Sequence, residues 1–189
     1  MSVKLLVLGL MMERDRHPYD IRQTIKARNW HVTFNVRDGS LYYAVDQLCQ
    51  EGSIEAVEIV QAPGQNRPDK TIYRITDKGR ETLVKLLNKQ LGETAFPQHP
   101  VLSALPFIRH SDHTEALRCL ETQLEACKER ISMMEAVQQL KAGTLPRGSV
   151  HLLRGILKLS LAEKEWLEEV IAEAKNGRLF EPKPPSPDS

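Results

Sequence analysis

The side chains best placed to do chemistry are hydrogen-bonding groups at helical spacing: Ser40, Tyr42, Tyr43 and Gln47, within RDGSLYYAVDQLCQEG, residues 37–52. Their chemistry is recognition rather than bond making. Hydroxyl and amide groups both donate and accept, so they can grip phosphate oxygens or read base edges without repelling a polyanion. Asp46 is the exception on this face and belongs away from phosphate. A second group follows at Gln65, Asn66, Arg67 and Lys70, where two cations can neutralise phosphates or enter a minor groove. Catalytic patterns are missing: there is no HExxH, GxSxG, phosphate loop or GxGxxG. Glu163, Glu165, Glu168 and Glu169 read as a solvated helix face, and His99, His110 and His113 lack the further ligands a metal needs. The expectation is a chain that is not an enzyme and needs no metal or cofactor.

These groups need elements to hold them. Leu41, Ala44, Val45, Leu48 and Cys49 recur at i, i+3, i+4, i+7 and i+8, the buried stripe of an α-helix. Tyr43, Asp46 and Gln47 then face outward, with Ser40 and Tyr42 on the flanks. Asp38 is the expected N-cap and Gly52 the expected residue just past the C-terminus. Alone, this is any surface helix with a polar outer face. The flanking segments decide. KLLVLGLMME (4–13) reads as a short buried helix. Pro18 opens a second, with Ile21 and Ile25 inward and Arg22, Lys26 and Arg28 outward. HVTFNV, β-branched and aromatic, reads as a break in the helical pattern. IEAVEIVQ (54–61) and KTIYRI (70–75) read as strands around the turn-rich APGQNRPD, with Ile54, Ala56, Glu58 and Val60 on one face. Thr76 should cap a helix running to about Leu91, striped by Leu83, Leu86, Leu87 and Leu91. Three helices and a hairpin make a winged helix-turn-helix, with Gln65, Asn66, Arg67 and Lys70 on the wing.

The second half differs. Pro97, Pro100 and Pro106 mark a connector. After cap candidates Asp112 and Thr114, Leu117, Leu120, Leu124, Cys127, Ile131 and Met134 alternate by three and four, continuing to Val137 and Leu140. Such a helix, roughly 40 Å long, needs a partner helix. A last helix is expected over 150–176, with Leu153, Ile156, Leu157, Trp166, Leu167, Val170, Ile171 and Ala174 inward. The fold class is therefore mainly α with a minor β component. A winged helix-turn-helix domain (1–92) precedes a long-helix dimerisation domain (93–180), and a Pro/Ser-rich tail (181–189) should be disordered. Leu117, Leu120, Leu124, Ile131, Met134, Trp166 and Val170 are the expected homodimer contacts. The sequence shows no effector site; Phe96, Phe107, His151 and Trp166 are candidates to line one, and the plainer reading of each is a core residue.

Composition is that of an ordinary globular protein. Hydrophobic content of 41% and charged content of 27% are ordinary. No apolar run approaches the roughly 20 residues of a membrane span, so a cytoplasmic protein is expected. Residues 1–92 hold 14 Lys and Arg against 11 Asp and Glu, a mild positive excess on the half proposed to meet DNA. Cys49, Cys119 and Cys127 have no disulfide spacing and fall in apolar stripes, so all three are expected to be buried.

Four segments in order, LLVLGLM, HPYDIRQTI, GSLYYAVDQLCQEGSI and TIYRITDKGRETL, resemble the DNA-binding domain of the PadR family of bacterial transcriptional regulators. Pro18 stands where that family usually has Gly, and Tyr43 where it often has Pro. HPVLSALPFI and EKEWLEEVI resemble the longer C-terminal domains of the family, less specifically. The resemblance implies a homodimer that binds a double-stranded operator, usually released by a small-molecule effector. It places Ser40 and Tyr42 at the head of the recognition helix and Tyr19 near the DNA backbone. Arg37 precedes that head. The expected function is a dimeric repressor. The alternative is a winged-helix protein-interaction module, which the outward Arg22, Lys26, Arg28, Arg37, Arg67 and Lys70 argue against.

Overall fold

A first helix in which Val7, Leu8, Leu10 and Met11 are all buried must lie inside its unit, and α1 (Val3–Met11) packs against α4 (Asp38–Gln50) and α5 (Asp77–Gly92). The computed structural model describes residues 2–60, 70–95, 98–141 and 143–181, with the backbone alone at 32, 60 and 70. The chain divides into two compact units, 1–95 and 96–189. The protein is mainly helical with a two-stranded antiparallel sheet, as the periodicities imply.

In the first unit Ile21 and Ile25 of α2 (Pro18–Ala27) join Leu41, Val45 and Leu48 of α4, Ile54, Ile75 and Leu83 in one core with α1. HVTFNV is not the non-helical break expected. A single helical turn, α3 (Trp30–Thr33), stands there, between Asn29 and Asn35, both with positive φ. Asparagine tolerates that conformation better than most residues. Trp30 and Phe34 pack on the core with ring centroids 5.9 Å apart, so tertiary burial overrides the β propensity.

Strands β1 (Ile54–Val60) and β2 (Lys70–Ile75) pair antiparallel, Ile54 opposite Ile75. The register shifts between Ala56 and Glu58, leaving Val57 as an extra residue. The strict alternation expected for Ile54, Ala56, Glu58 and Val60 is therefore broken by a bulge. On the other edge of β2, Arg16 and Tyr73 exchange two backbone hydrogen bonds of 3.0 Å. Of the stripe expected on α5, Leu83 is buried and Leu86 packs on the core, but Leu87 is exposed and Leu91 is 82% exposed. The helix outruns the core beneath it.

The second unit contains α6 (Pro100–Ala104), a 3-10 segment (Leu105–His110), α7 (His113–Leu140), α8 (Arg147–Lys175) and a closing 3-10 turn (Arg178–Phe180). Asp112 caps α7 by accepting from the Glu115 amide at 2.9 Å, and α8 starts three residues before the expected 150. Leu120, Cys127 and Ile131 of α7 meet Leu167, Val170, Ile171 and Ala174 of α8 within this one chain. Burial raises the pKa of the Cys127 thiol, which donates to the Ser160 carbonyl at 3.2 Å. Cys49 and Cys119, expected buried, are exposed, because each lies at the edge of its stripe rather than its centre. Residues 182–189 of the expected disordered tail, and Phe96, lie outside the described residues. Among the described residues no helix is long and apolar enough to cross a membrane.

Candidate nucleic-acid interface

The interface is built on α4, held by Leu41, Ala44, Val45 and Leu48, all buried. Tyr43 stands opposite them and is 66% exposed. Tyr42 is exposed and Gln47 half-buried; the Gln47 amide donates to Gln50 at 3.3 Å. Ser40 is exposed and its hydroxyl donates to the Arg37 carbonyl at 2.7 Å, so it braces the first turn and keeps its oxygen lone pairs outward. Arg37, not Asp38, is the N-cap residue, and its side chain is exposed.

Asp38 is the first helical residue and does not cap. Its carboxylate pairs with Arg22 of α2, with 2.6 Å between Nη2 and Oδ2. The hydrogen bond from Arg22 holds the Asp38 carboxyl below its usual range, and nearby Lys26 and His31 act in the same direction. Arg22 is correspondingly harder to deprotonate, first through Asp38 and then through the neighbouring Tyr42 and Tyr19. The pair therefore lies among Tyr19, Tyr42 and the head of α4. A carboxylate at a helix N-terminus is favoured by the helix dipole. Here it also ties the first helix of the motif to the second.

Two further details fix this corner. His17 caps α2, its Nδ1 accepting from the Tyr19 amide at 3.0 Å, and this places the proton of neutral His17 on Nε2. Pro18 follows at the first helical position, and Tyr19 is exposed beside it. At the far end of α4, Gly52 adopts φ +70° and the Ser53 amide donates back to Leu48 at 2.8 Å, which turns the chain into β1.

The cations are less free than the sequence suggests. Arg22 is paired with Asp38, Arg28 with Glu13 at 2.8 Å, and Arg74 with Asp15 at 2.7 Å. Lys26 and Arg37 are exposed. Gln65, Asn66 and Arg67 of the expected wing tip lie outside the described residues, and of Lys70 only its place opening β2 is described.

Sequence reasoning missed Arg16. It is only 4% exposed, and its guanidinium donates to the Leu10 carbonyl at 2.9 Å, the Thr24 hydroxyl at 2.9 Å and the Glu13 carboxylate at 2.6 Å. With its backbone pairing to Tyr73, this one residue links α1, α2 and β2. The only signal was an arginine between two apolar helices, which composition cannot distinguish from a surface charge. Among the described residues no group of three or more His, Cys, Asp or Glu could hold a metal ion. The expected dimer contacts Leu120, Ile131, Met134 and Val170 are buried inside the single chain, and Leu117, Leu124 and Trp166 are partly buried against the same core.

The PadR-like transcriptional regulator family matches residues 7–85. An uncharacterised protein of Lysinibacillus sphaericus is 31% identical over 84 residues, covering 44% of this chain and 73% of that protein. The structure of Bacillus subtilis PadR in complex with operator DNA superposes with a TM-score of 0.72 at 20% identity, covering 92% of this chain and 99% of that one. The same protein in complex with p-coumaric acid gives 0.70 at 22% identity, covering 93% and 99%. At these identities the two superpositions establish the fold, over both units.

Proposed function

This chain belongs to the PadR-like family of transcriptional regulators, and on that premise we propose that it is a dimeric repressor whose grip on a DNA operator is modulated by a small molecule. The observation that carries the reading is the outer face of α4. Exposed Tyr42 and Tyr43, with Ser40 and Gln47, stand on a helix whose opposite face is locked in the core. A helix of this size fits the major groove, and such groups distinguish base edges there. Tyr19 and Arg37 flank its head and are assigned to the phosphate backbone. Gln65, Asn66, Arg67 and Lys70 are assigned to the wing, with the two cations neutralising phosphates.

A second copy is required because one helix reads only a few base pairs. Two half-sites about one helical turn apart set the specificity of a dimer. Bacillus subtilis PadR, a structural neighbour, has been crystallised with operator DNA and with p-coumaric acid. Both support assigning an operator and an aromatic effector to this chain.

The deciding experiment is fluorescence anisotropy of the full-length protein with the intergenic DNA beside its own gene, against unrelated DNA, across a salt series. Saturable binding that prefers the intergenic DNA and weakens steeply with salt is expected. Equal or absent binding to both DNAs at low salt, with the protein verified as a dimer and screened against aromatic co-ligands, would put the protein-interaction reading first. The pairing of Arg22 and Arg28 with carboxylates is the observation that keeps that second reading in play.

A further inference from the structure

The head of α4 carries a carboxylate on the side proposed to meet DNA. Asp38 is the first residue of α4, just before Ser40 and Tyr42. A bare carboxylate beside phosphates is repelled, so its place there needs a physical reason. In a helix-turn-helix the N-terminal residues of the second helix reach base edges, while the first helix crosses the backbone. Here α2 is that first helix, and Arg22 and Lys26, at i and i+4, share one face of it. The cations thus stand on the element that meets phosphates, and the carboxylate on the element that meets bases. Arg22 pairs with Asp38 directly, and Lys26 and His31 lie close enough to favour its charged form. A carboxylate so surrounded can approach a polyanion. The contacts of the pair decide what it can do there. Arg22 reaches Oδ2 from Nε at 2.8 Å and from Nη2 at 2.6 Å. Both contacts are to Oδ2, which leaves Oδ1 to accept from a further donor. The Asp38 side chain is 51% exposed against 29% for Arg22, so the carboxylate is the more open member.

An oxygen that can only accept is selective in the major groove. Cytosine offers an amine donor alone there, and adenine sets an N7 acceptor beside its amine. Guanine offers two acceptors, and thymine an acceptor and a methyl group. Cytosine therefore matches the open oxygen best, while guanine and thymine oppose it. We propose that Asp38 is a specificity-determining residue that accepts from the N4 amine of a cytosine in each operator half-site, and that Arg22 is the residue that positions it. The assignment rests on the reading of the protein as an operator-binding regulator and names one base that its recognition helix reads. It also gives the ion pair a use at a DNA interface. Arg22 orients a base-reading group instead of neutralising a phosphate, and it ties that group to α2, the helix that sets the register on the backbone.

The test is anisotropy of the full-length protein on the operator, located by footprinting in the intergenic DNA, with each base pair of the half-sites changed in turn. In the wild type, replacing one particular C·G pair should weaken binding roughly tenfold. Asp38→Ala should remove the discrimination at that pair and leave it at the others. Asp38→Asn keeps an acceptor oxygen for Arg22 and adds an amide donor. It should move the preference at that pair toward adenine, whose N6 and N7 an amide meets together. A carboxylate that only supported the helix would shift the thermal melt and no base preference. Arg22→Gln should blunt discrimination at the same pair, and Arg22→Lys should restore part of it. The proposal is overturned if Asp38→Ala instead strengthens binding to operator and unrelated DNA alike and steepens the salt slope by about 0.9, since the carboxylate then only opposes phosphate contacts. Should Asp38→Ala fail to fold, Asp38→Asn decides, and wild-type base preferences in that variant overturn the proposal. A wild type without operator preference removes the regulator and this assignment together. A wild-type preference that survives both Asp38 variants unchanged removes the assignment alone.

Discussion

Arg16 and Glu13 show how much one residue pair can organise. A guanidinium 4% exposed is tolerable only because a carbonyl, a hydroxyl and a carboxylate surround it. Arg16→Met should destabilise the first unit by about 3 kcal/mol, because it leaves the Leu10 carbonyl and Thr24 hydroxyl to find new partners and unties three elements. Chemical denaturation monitored by Trp30 fluorescence would measure it, and a loss within error would remove Arg16 from this role. Glu13 also holds Arg28, which lies over the Trp30 ring at 5.0 Å. Its carboxyl sits below the ordinary 4.5, first through the Arg28 hydrogen bond, against desolvation, and further through Arg16. A depressed folded-state pKa means stability that is complete above pH 4.5 and erodes as pH falls through the folded value. Glu13→Gln should therefore flatten the dependence of Tm on pH in the acid range below 4.5. Asp38 and Glu115, also depressed, leave some slope behind.

At the scale of elements, the joint between α4, the hairpin and α5 depends on a glycine that does not need unusual backbone angles. A Cβ on Gly79 would lie 2.0 Å from the Ser53 carbonyl oxygen and 2.7 Å from an Ile75 side-chain carbon. Thr76 completes the joint: its hydroxyl donates to the Gly52 carbonyl at 2.7 Å and accepts from the Gly79 amide at 3.1 Å. Gly79→Ala should cost about 2–3 kcal/mol, the scale of overpacking against backbone that cannot retreat. Gly39→Ala, with nothing within 4 Å, is the matched control in thermal melts. The two elements proposed to face DNA should separate in function. Tyr43→Ala, on the helix, should lower the preference for the operator over unrelated DNA, a contact worth about 1–3 kcal/mol of discrimination if it reads a base. Arg67→Ala, in the segment proposed as the wing, should weaken binding to all DNA and reduce the salt slope by about 0.9. Anisotropy across a salt series distinguishes them, and an unchanged preference for Tyr43→Ala would move its side chain off the bases.

For the whole molecule, the long helices raise a question of partners. The α7 stripe meets α8 in the same chain, so Leu120 and Ile131 are already covered. What remains for a second copy is the exposed set on the same helices, Leu140, Leu159 and Leu161. If the proposed dimer forms there, the protein should sediment at twice its 21.5 kDa chain mass. Leu159→Asp should weaken that association at least about tenfold, as losing a buried apolar contact does, with helix content intact. Leu120→Asp should instead unfold the unit. Association untouched by Leu159→Asp would place the interface elsewhere.

Much of this was written in local pattern. Period 3.6 marked α2, α4, α5, α7 and α8, helix-forming residues in a compact apolar run marked α1, alternation and turn residues marked the hairpin, and Pro18, Thr76, Asp112 and Gly52 sit at the element ends their chemistry favours. The outer face of α4 was legible for the same reason: a helix with one buried stripe must turn its other side chains out. Partnership was not legible, because it depends on residues distant in sequence. Whether Arg22 is free or paired depends on Asp38, 16 residues away, and Arg16 is buried only because Thr24 and Tyr73 come to it. Local preference also gave way to packing at Trp30–Thr33, and to the limited size of the core at Leu91. Periodicity shows that a stripe will be covered. Only the folded chain shows that its cover on α7 is α8.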